Sequence, residues 1–233
     1  MALFIRIDVD KPYGHKNFIS KLLSKINENF IRILFPKLYL KGLIHLLEFL
    51  NENKIASSIY FRNCTIPSTK VMDLLLKGNH SIGFHAENTK NKETFSEELE
   101  IFREKIGIEV RHFTKHGSGT FKLGKNHYPI YEPEKYLKWS KELNLVYKFG
   151  NGTLDALSQQ SNDFISDMFW AEFWYRNELF NSINTLINES KNNDYVFLIH
   201  PSNYETHKNV KVEFHKLVDL IKLNNIDIKT IIG

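Results

Sequence analysis

The sequence predicts an α/β fold in which parallel strands and helices alternate around a single barrel. A chain of 233 residues fits one domain spanning residues 1–233, since α/β barrels often exceed 200 residues as single units. Short apolar runs alternate with longer stretches of helical period, which is typical of repeated βα units. The number of apolar runs, about seven, suits a distorted (β/α) barrel.

The strand candidates are short runs rich in Ile, Val, Phe and Tyr. They cover residues 3–10, 56–62, 80–85, 110–115, 146–149, 163–169 and 195–200, with a weaker candidate at 226–232. Because functional side chains of parallel α/β folds gather where strands end, the polar residues at those ends are the candidates for chemistry.

The helix candidates lie between the strands and have apolar residues at helical spacing. They cover residues 39–52, 68–77, 95–106, 134–143, 176–190 and 212–223. In the third of these, Thr94 and Glu97 predict a capping box at the helix start. The stretch from 117 to 131 is rich in Gly, Lys, His and Pro without a clear period, which predicts a functional loop.

Composition narrows the classes of partner and compartment. The net charge of +4 comes from scattered Lys and Arg with no dense basic run, which argues against nucleic-acid binding. Cys64 is the only cysteine, so neither an intramolecular disulfide nor a thiolate metal cluster can form, and a reducing compartment is expected. No apolar run approaches the roughly 18 residues that a transmembrane helix needs. We therefore expect a cytoplasmic protein without a membrane span.

The first strand carries two carboxylates on one face. Asp8 and Asp10 are two residues apart, so both point to the same side at the carboxyl end of the strand. Two like charges held together need a cation, or a proton on one of them, and both arrangements are useful in catalysis. The alternative is that Arg6 or a lysine merely balances surface aspartates.

Histidines end two further strands. His85 closes the third strand at the edge where Asp10 emerges, whereas His80 begins it, roughly 16 Å away at 3.3 Å per residue. His80 is therefore expected to be a hydrogen-bonded structural residue and His85 the better metal ligand. His200 follows a nearly continuous apolar run, and it is either a catalytic acid or base or a hydrogen-bonding cap of the loop.

Four motifs in this order resemble the polysaccharide deacetylases, the NodB-homology or carbohydrate esterase family 4 group. They are Asp8-Val9-Asp10, the segment 78–85 ending in His85, the segment 113–119 containing Lys115-His116, and Leu198-Ile199-His200-Pro201. The resemblance extends from the first strand to the seventh. It implies a distorted, often seven-stranded (β/α) barrel that uses a divalent metal, commonly zinc, to remove N- or O-acetyl groups from sugars.

The resemblance also implies roles for individual residues. Asp8 matches the catalytic base and His200 the general acid. Asp10 and His85 match metal ligands. Asp167 is a loose match to the carboxylate that orients the acid.

Two positions depart from the pattern of these enzymes. The second histidine ligand, expected four residues after His85, is replaced by Thr89. Glu87, Asn88 and His116 are the candidates to replace it, and His116 is favoured because it follows a strand at the same edge. The usual arginine-proline pair reads Lys115-His116, so a lysine would pair with Asp8 without the bidentate geometry of arginine.

Further residues are candidates for binding substrate. Lys115, Glu87, His127 and Tyr128 are expected to line the substrate site. The aromatic residues that follow the sixth strand, Trp170, Phe173, Trp174 and Tyr175, either cover the barrel end, which is favoured, or stack on sugar rings.

Three functions compete at this point. The leading hypothesis is a metal-dependent deacetylase acting on a sugar or polysaccharide intermediate. The second is a metal-independent C–N hydrolase that acts on a small amide. The third is a catalytically silent domain that binds glycans or a partner protein, which the missing second histidine favours.

Overall fold

The computed structural model describes residues 1–13, 38–117, 121–123, 125–151, 164–165, 167–176 and 182–231. In these residues a seven-stranded sheet has the order β4-β3-β2-β1-β6-β5, with β7 paired to β1. All of its ladders are parallel. The strands are β1 Leu3–Val9, β2 Ser58–Phe61, β3 Ser81–Ala86, β4 Phe113–Lys115, β5 Met168–Trp170, β6 Tyr195–Ile199 and β7 Ile228–Lys229.

Strand β1 lies at the centre of the sheet and all seven of its residues are buried. β6 runs along one edge of β1 from Leu3 to Ile7. Two strands share the opposite edge, since β7 pairs with Leu3 and Phe4 while β2 pairs with the half from Arg6 to Val9. The carboxyl end of β1 is therefore held between two neighbours.

Beyond β4 the sheet curls into a half-barrel, which confirms the predicted barrel class of fold. The ladder is replaced there by two isolated parallel bridges, His112 with Val146 and Phe149 with Ile165. The expected strand at 146–149 is thus wrong as a continuous strand. The expected strand at 163–169 is represented by the bridge at Ile165 and by β5, and its first residue lies outside the described residues.

Helices pack around the sheet as the sequence predicts in outline. They are α1 Lys41–Glu52, α2 Thr69–Lys77, α3 Lys92–Ile106, α4 Pro133–Glu142, α5 Ile183–Glu189, α6 Pro201–Thr206 and α7 Lys208–Leu223, with a 3₁₀ turn at Phe173–Tyr175. None of the helices in the described ranges is both long and apolar enough to cross a bilayer.

Two helix predictions need correction. The cap of α3 is Asn91, whose side chain accepts a hydrogen bond from the backbone N–H of Thr94, so the capping box at Thr94 and Glu97 is wrong. Of the expected helix at 176–190, the described residues contain α5, while Arg176 at its start is extended and its guanidinium donates to the carbonyl of Trp170. Residues 177–181 lie outside the described residues.

Side chains of β1 alternate between two apolar clusters. Leu3, Ile5, Ile7 and Val9 belong to the larger cluster, which also contains the buried faces of the helices. Phe4 belongs to the smaller cluster, with residues of β2, β5 and β6. Because period-2 alternation puts Arg6 and Asp8 on the same face as Phe4, these polar side chains point into the barrel.

Candidate metal centre and active site

Polar side chains from four strands meet at the carboxyl edge of the sheet. Asp8 lies in β1 and Asp10 follows it, His85 lies in β3, His116 follows β4 and His200 follows β6. All five line one cavity of about 370 Å³. The structure thus brings together the residues that the sequence predicts as base, acid and metal ligands.

Asp10, His85 and His116 form a compact group of possible metal ligands. One ligand atom from each lies within 4.8 Å of the other two. Asp10 Oδ1 is 3.2 Å from His85 Nε2 and 3.2 Å from His116 Nδ1. His85 Nδ1 lies 2.7 Å from Thr114 Oγ1, so its other nitrogen is directed at the carboxylates.

Two atoms of this group are buried without a hydrogen-bond partner in the described residues. They are Asp10 Oδ1 and His116 Nδ1, which face each other but lack hydrogen-bond geometry. Buried polar atoms are rarely left unsatisfied, and a cation between them would satisfy both. One carboxylate oxygen and two imidazole nitrogens are also a donor set that suits a catalytic zinc site with an open position.

The pKa shifts of Asp10 and His116 favour the forms of these two residues that bind metal. Burial lowers the pKa of His116, which keeps the imidazole neutral. Burial alone would raise the pKa of Asp10, but His116 and His200 bring it well below the ordinary value, so Asp10 is ionised. Metal ligands must be deprotonated, and both residues meet that condition at neutral pH.

The partner of Asp8 is Arg6. The resemblance to the polysaccharide deacetylases had implied Lys115 instead. Arg6 Nε donates to Asp8 Oδ1 at 2.8 Å and Nη2 donates to Oδ2 at 2.6 Å, which is a bidentate pair. Burial alone would raise the pKa of Asp8, but Arg6 and then His85 lower it. Asp8 Oδ2 also lies 3.5 Å from His85 Nε2, so the ionised carboxylate borders the candidate metal position.

Lys115 instead holds the chain that follows β4. Its ammonium group donates to the carbonyl oxygens of His116 and Gly117, and its side chain is buried. Burial lowers its pKa to about 7. Lys115 also lines the cavity, so its predicted place at the substrate site fits its position although its pairing with Asp8 is wrong.

Glu172, not Asp167, orients His200. Glu172 is fully buried, and its Oε1 lies 3.0 Å from His200 Nδ1 while accepting hydrogen bonds from the His200 backbone N–H and from Asn203. Asp167 is exposed and precedes β5, where its carbonyl oxygen accepts from Val196 at the opposite end of β6. Parallel strands deliver side chains to the site only from their carboxyl ends, so Asp167 is one strand length too early.

Thr89 and Glu87 do not join the candidate metal group. Thr89 is buried, and its Oγ1 lies 3.2 Å from the hydroxyl of Tyr136. Glu87 is paired with Arg62 at 2.7 Å and lines a neighbouring cavity with Asn88. Arg62 also donates to the backbone carbonyl of Asp10, which ties this ion pair to the end of β1.

The two candidates in the long loop have different surroundings. His127 is buried, and its Nε2 lies 2.9 Å from the carbonyl oxygen of His116. Gly117 has φ of 57°, and a Cβ there would lie 2.9 Å from the same nitrogen, so the tight approach of the loop requires glycine. Tyr128 packs under Lys135 instead. Neither His127 nor Tyr128 lines the described cavity.

Sequence reasoning considered Arg6 only as a cation that balances surface aspartates, and it missed Glu172 as the neighbour of His200. The alternation of β1 already placed Arg6 on the face of Asp8, two residues earlier, which is a usable signal. The sequence signal for Glu172 was weaker. This residue is a carboxylate just beyond the end of β5, but no motif marks it among the surrounding aromatic residues. The family pattern instead assigned the cation beside Asp8 to Lys115 and the orienting carboxylate to Asp167.

No protein-family model and no curated protein matches this chain. Solved structures do match. A probable polysaccharide deacetylase from Pseudomonas aeruginosa aligns at 11% identity and a TM-score of 0.54, covering 95% of this chain and 85% of its own. A polysaccharide deacetylase from Bacillus cereus aligns at 10% identity and a TM-score of 0.51, covering 100% of this chain and 92% of its own.

A CE4 family pseudoenzyme from Bacillus anthracis aligns at 12% identity and a TM-score of 0.49, covering 99% of this chain. The chain spans 63% of the length of that protein. At such identities the likeness concerns the fold. The chain therefore has the fold of the polysaccharide deacetylases, and the resemblance in fold that the four motifs predicted is confirmed.

Proposed function

We propose that the protein is a metal-dependent hydrolase that removes an acetyl group, N- or O-linked, from a sugar or polysaccharide intermediate. The observation that carries this proposal is the convergence of Asp10 Oδ1, His116 Nδ1 and His85 Nε2, of which the first two are buried and have no hydrogen-bond partner among the described residues. The cavity beside them also contains a carboxylate and a protonated imidazole, the two groups that hydrolysis of an acyl bond needs.

Asp10, His85 and His116 would hold the divalent cation, and zinc is the candidate that best suits their oxygen and nitrogen donors. When bound, the cation would polarise the acetyl carbonyl and lower the pKa of the attacking water. The side chain of Thr114 fixes the ring of His85, and the pair of Arg62 with the Asp10 carbonyl fixes the end of β1. These contacts support the ligands from outside the group.

Asp8 is the proposed general base. The bidentate contact with Arg6 keeps its carboxylate ionised and fixes its orientation, so that it can accept a proton from water beside the candidate metal position. Arg6 also donates to the backbone carbonyl of Gly150 at 3.1 Å, which fixes the guanidinium beside Asp8. The pair is inside the barrel, where its electrostatic interaction is weakly screened.

His200 is the proposed general acid. Burial alone would lower its pKa, but the charges of Glu172 and Asp10 raise the pKa to about 9, so the imidazole carries a proton at neutral pH. With Nδ1 held by Glu172, the Nε2 proton points toward Asp10 Oδ2, 3.5 Å away, and into the cavity. From there it would protonate the leaving amine or alcohol.

Metal analysis combined with an acetate-release assay tests this function. Purified protein, loaded with zinc and then dialysed, is assayed on N-acetylated chito-oligosaccharides, on acetylated xylan and on a small acetamide. The proposal predicts about one bound zinc and acetate release from a sugar that stops on chelation and returns with zinc. His45→Ala, on the outer face of α1, is the control variant for the loss of a histidine.

The same assay decides between the alternatives. Hydrolysis of the small amide that survives complete chelation would favour the metal-independent C–N hydrolase. Binding of glycan without acetate release from any substrate, at full zinc content, would favour the catalytically silent domain. A cytoplasmic location and a single domain over residues 1–233 stay predictions from the sequence.

A further inference from the structure

The exposed aromatic residues of the described ranges are gathered at one place, the mouth of the cavity. Phe121 is 82% exposed, Phe173 and Tyr175 are each 58% exposed, and Trp174 is 41% exposed. Among the described residues no other Phe, Trp or Tyr reaches this degree of exposure. Clustered exposure of this kind usually marks an interaction site, whereas scattered apolar residues need no explanation.

The cluster lies on both sides of the opening. Phe121 and Leu123, which is 60% exposed, line the cavity from the loop after β4. On the other side, Trp170 and Tyr175 line it from the segment after β5.

That second side is continuous. The ring of Tyr175 is 5.1 Å from Trp170 and 6.0 Å from Trp174, and Trp174 is 4.9 Å from Phe173. We refer to Phe121, Leu123, Phe173, Trp174 and Tyr175 as the mouth surface. Of the four aromatics that the sequence placed at the barrel end, Trp170 packs partly buried against the smaller apolar cluster, whereas Phe173, Trp174 and Tyr175 are exposed.

Lysines are interleaved with the mouth surface. Lys122 and Lys125 are exposed on the same loop as Phe121 and Leu123. On the other side, the ring of Trp174 lies 5.0 Å from His207, and the exposed Lys208 follows directly. The whole chain has a net charge of +4. Apolar side chains and basic charges thus occupy one face, which is the pattern that interfacial membrane binding needs.

We propose that the mouth surface docks on an anionic phospholipid bilayer. Trp and Tyr favour the interface between lipid and water because one end of each ring is apolar and the other polar. The exposed aliphatic Leu123 fits acyl chains but offers no face for stacking on a sugar, which favours lipid over glycan as the occupant. The lysines complement the negative headgroups.

This docking is independent of the proposed reaction. Docked in this way, the protein would have its cavity open toward the membrane. On the proposed function, a substrate anchored in the same bilayer would then reach Asp8 and His200 while its anchor stays in the lipid.

Sedimentation with vesicles and tryptophan fluorescence test the proposal on the full chain. The probes are vesicles of phosphatidylcholine alone and of phosphatidylcholine mixed equally with phosphatidylglycerol. The chain has three tryptophans, of which Trp139 is buried in α4 while Trp170 and Trp174 lie at the mouth. We expect sedimentation with the mixed vesicles, a blue shift of the emission and quenching by brominated lipid. Trp174→Phe should keep the sedimentation and lose most of the quenching.

Matched variants separate this face from the rest of the surface. Phe121→Ser with Phe173→Ser should weaken binding by roughly tenfold or more, because each ring removes apolar area from the lipid contact. The control is Leu76→Ser with Leu223→Ser, two leucines that are 69% and 78% exposed at the far ends of α2 and α7. This control should bind like the unmodified chain.

A second pair of variants tests the charges without removing any apolar residue. Lys122→Glu with Lys125→Glu should lose at least roughly fivefold per lysine in affinity for the mixed vesicles. Lys77→Glu with Lys222→Glu, at the ends of α2 and α7, is the matched control and should lose less.

Several results would overturn the proposal. One is equal loss of binding in the mouth and control variants, and another is no sedimentation with either vesicle. Quenching of Trp174 by a soluble chito-oligosaccharide, with no response to vesicles, would show a glycan platform instead. Thermal unfolding of each variant checks that it is folded. If the double serine variant does not fold, the double glutamate variant at Lys122 and Lys125 still tests the proposal.

Discussion

The two ends of strand β3 each carry a buried histidine, and the two histidines have opposite environments. His80, just before the strand, has both ring nitrogens satisfied: Nδ1 accepts from the Ser57 backbone N–H at 3.1 Å, and Nε2 lies 2.8 Å from Asn51 Oδ1. His85, within the strand near its carboxyl end, directs Nε2 at Asp10 and Asp8. The structural role predicted for His80 is confirmed by these contacts.

Position along a parallel strand, more than residue type, separates a structural from a chemical histidine. At the amino end, neutral partners surround His80 and burial lowers its pKa to about 4, so it stays neutral. At the carboxyl end, side chains from neighbouring strands converge and carboxylates face the ring.

The largest effect is expected at the carboxyl end, in catalysis. His200→Ala should lower turnover by roughly 10²–10⁴-fold because the leaving group loses its proton donor. Asp8→Asn should behave likewise because water loses its base. Both variants should keep their zinc, since neither residue is a proposed ligand, and the measurement is steady-state acetate release beside metal content.

His80→Ala is the control at the other end of β3, and its turnover should stay near that of the unmodified chain at a temperature where it is folded. Full activity in His200→Ala together with a lower melting temperature would make this histidine a loop cap. In that case the carboxyl end would also be structural, and the contrast would fail.

Zinc affinity separates the two ends more directly. His116→Ala should weaken zinc binding by at least roughly 100-fold, because it removes one of three converging donors. His80→Ala should leave the zinc affinity nearly unchanged, since the Nδ1 atom of His80 accepts a hydrogen bond from the backbone N–H of Ser57 and does not face the proposed metal position. Isothermal titration of metal-free protein measures both. The reverse pattern would mean that the metal sits at the amino end of the strand.

The fold was predictable where buried strands have long apolar runs. β1 and β6 each have a neighbouring strand on both edges and are buried along their whole length. β6 is accordingly a continuous hydrophobic run, and β1 is one apart from Arg6 and Asp8. The expected strand at 146–149 failed because its apolar residues make only bridges to His112 and Ile165. Periodicity reports burial, but it does not report whether a ladder of hydrogen bonds forms.

The site was predictable to the extent that strand ends define it. Asp8, Asp10, His85, His116 and His200 were all chosen from strand ends, and the structure brings them into one cavity. Their partners were harder, because Arg6 and Glu172 are chosen by side-chain geometry across strands. The motifs predicted a cation and a carboxylate in these two roles, but they assigned them to Lys115 and Asp167, whereas the contacts are made by Arg6 and Glu172.

The free energy of unfolding should depend on pH through His80, at the amino end of β3. The pKa of His80 is lowered from 6.5 to about 4, so the unfolded chain binds its proton more readily than the folded chain in that window. Stability should therefore fall as the pH drops from 6.5 to 4, by roughly 3 kcal/mol from this residue.

Replacing His80 with glutamine tests the size of that contribution. His80→Gln costs hydrogen bonds at neutral pH, but its deficit relative to the unmodified chain should shrink toward pH 4. Urea unfolding across this range measures the difference, with His45→Gln as the histidine control. A deficit that stays constant with pH would mean that His80 is not held neutral by burial.

The smallest effect is expected for stability at Gly83, which lies in β3 between His80 and His85. A Cβ at Gly83 would lie 2.4 Å from His112 Nδ1 and 2.6 Å from a ring carbon of Tyr60, both buried. Gly83→Ala should therefore lower the free energy of unfolding by roughly 1–3 kcal/mol through overpacking. His112→Ala removes the obstacle, so the cost of Gly83→Ala should be smaller in that background, and a double-mutant cycle by urea unfolding measures the coupling. Equal costs in both backgrounds would show that Tyr60 or the strand backbone, not His112, excludes a side chain at this point.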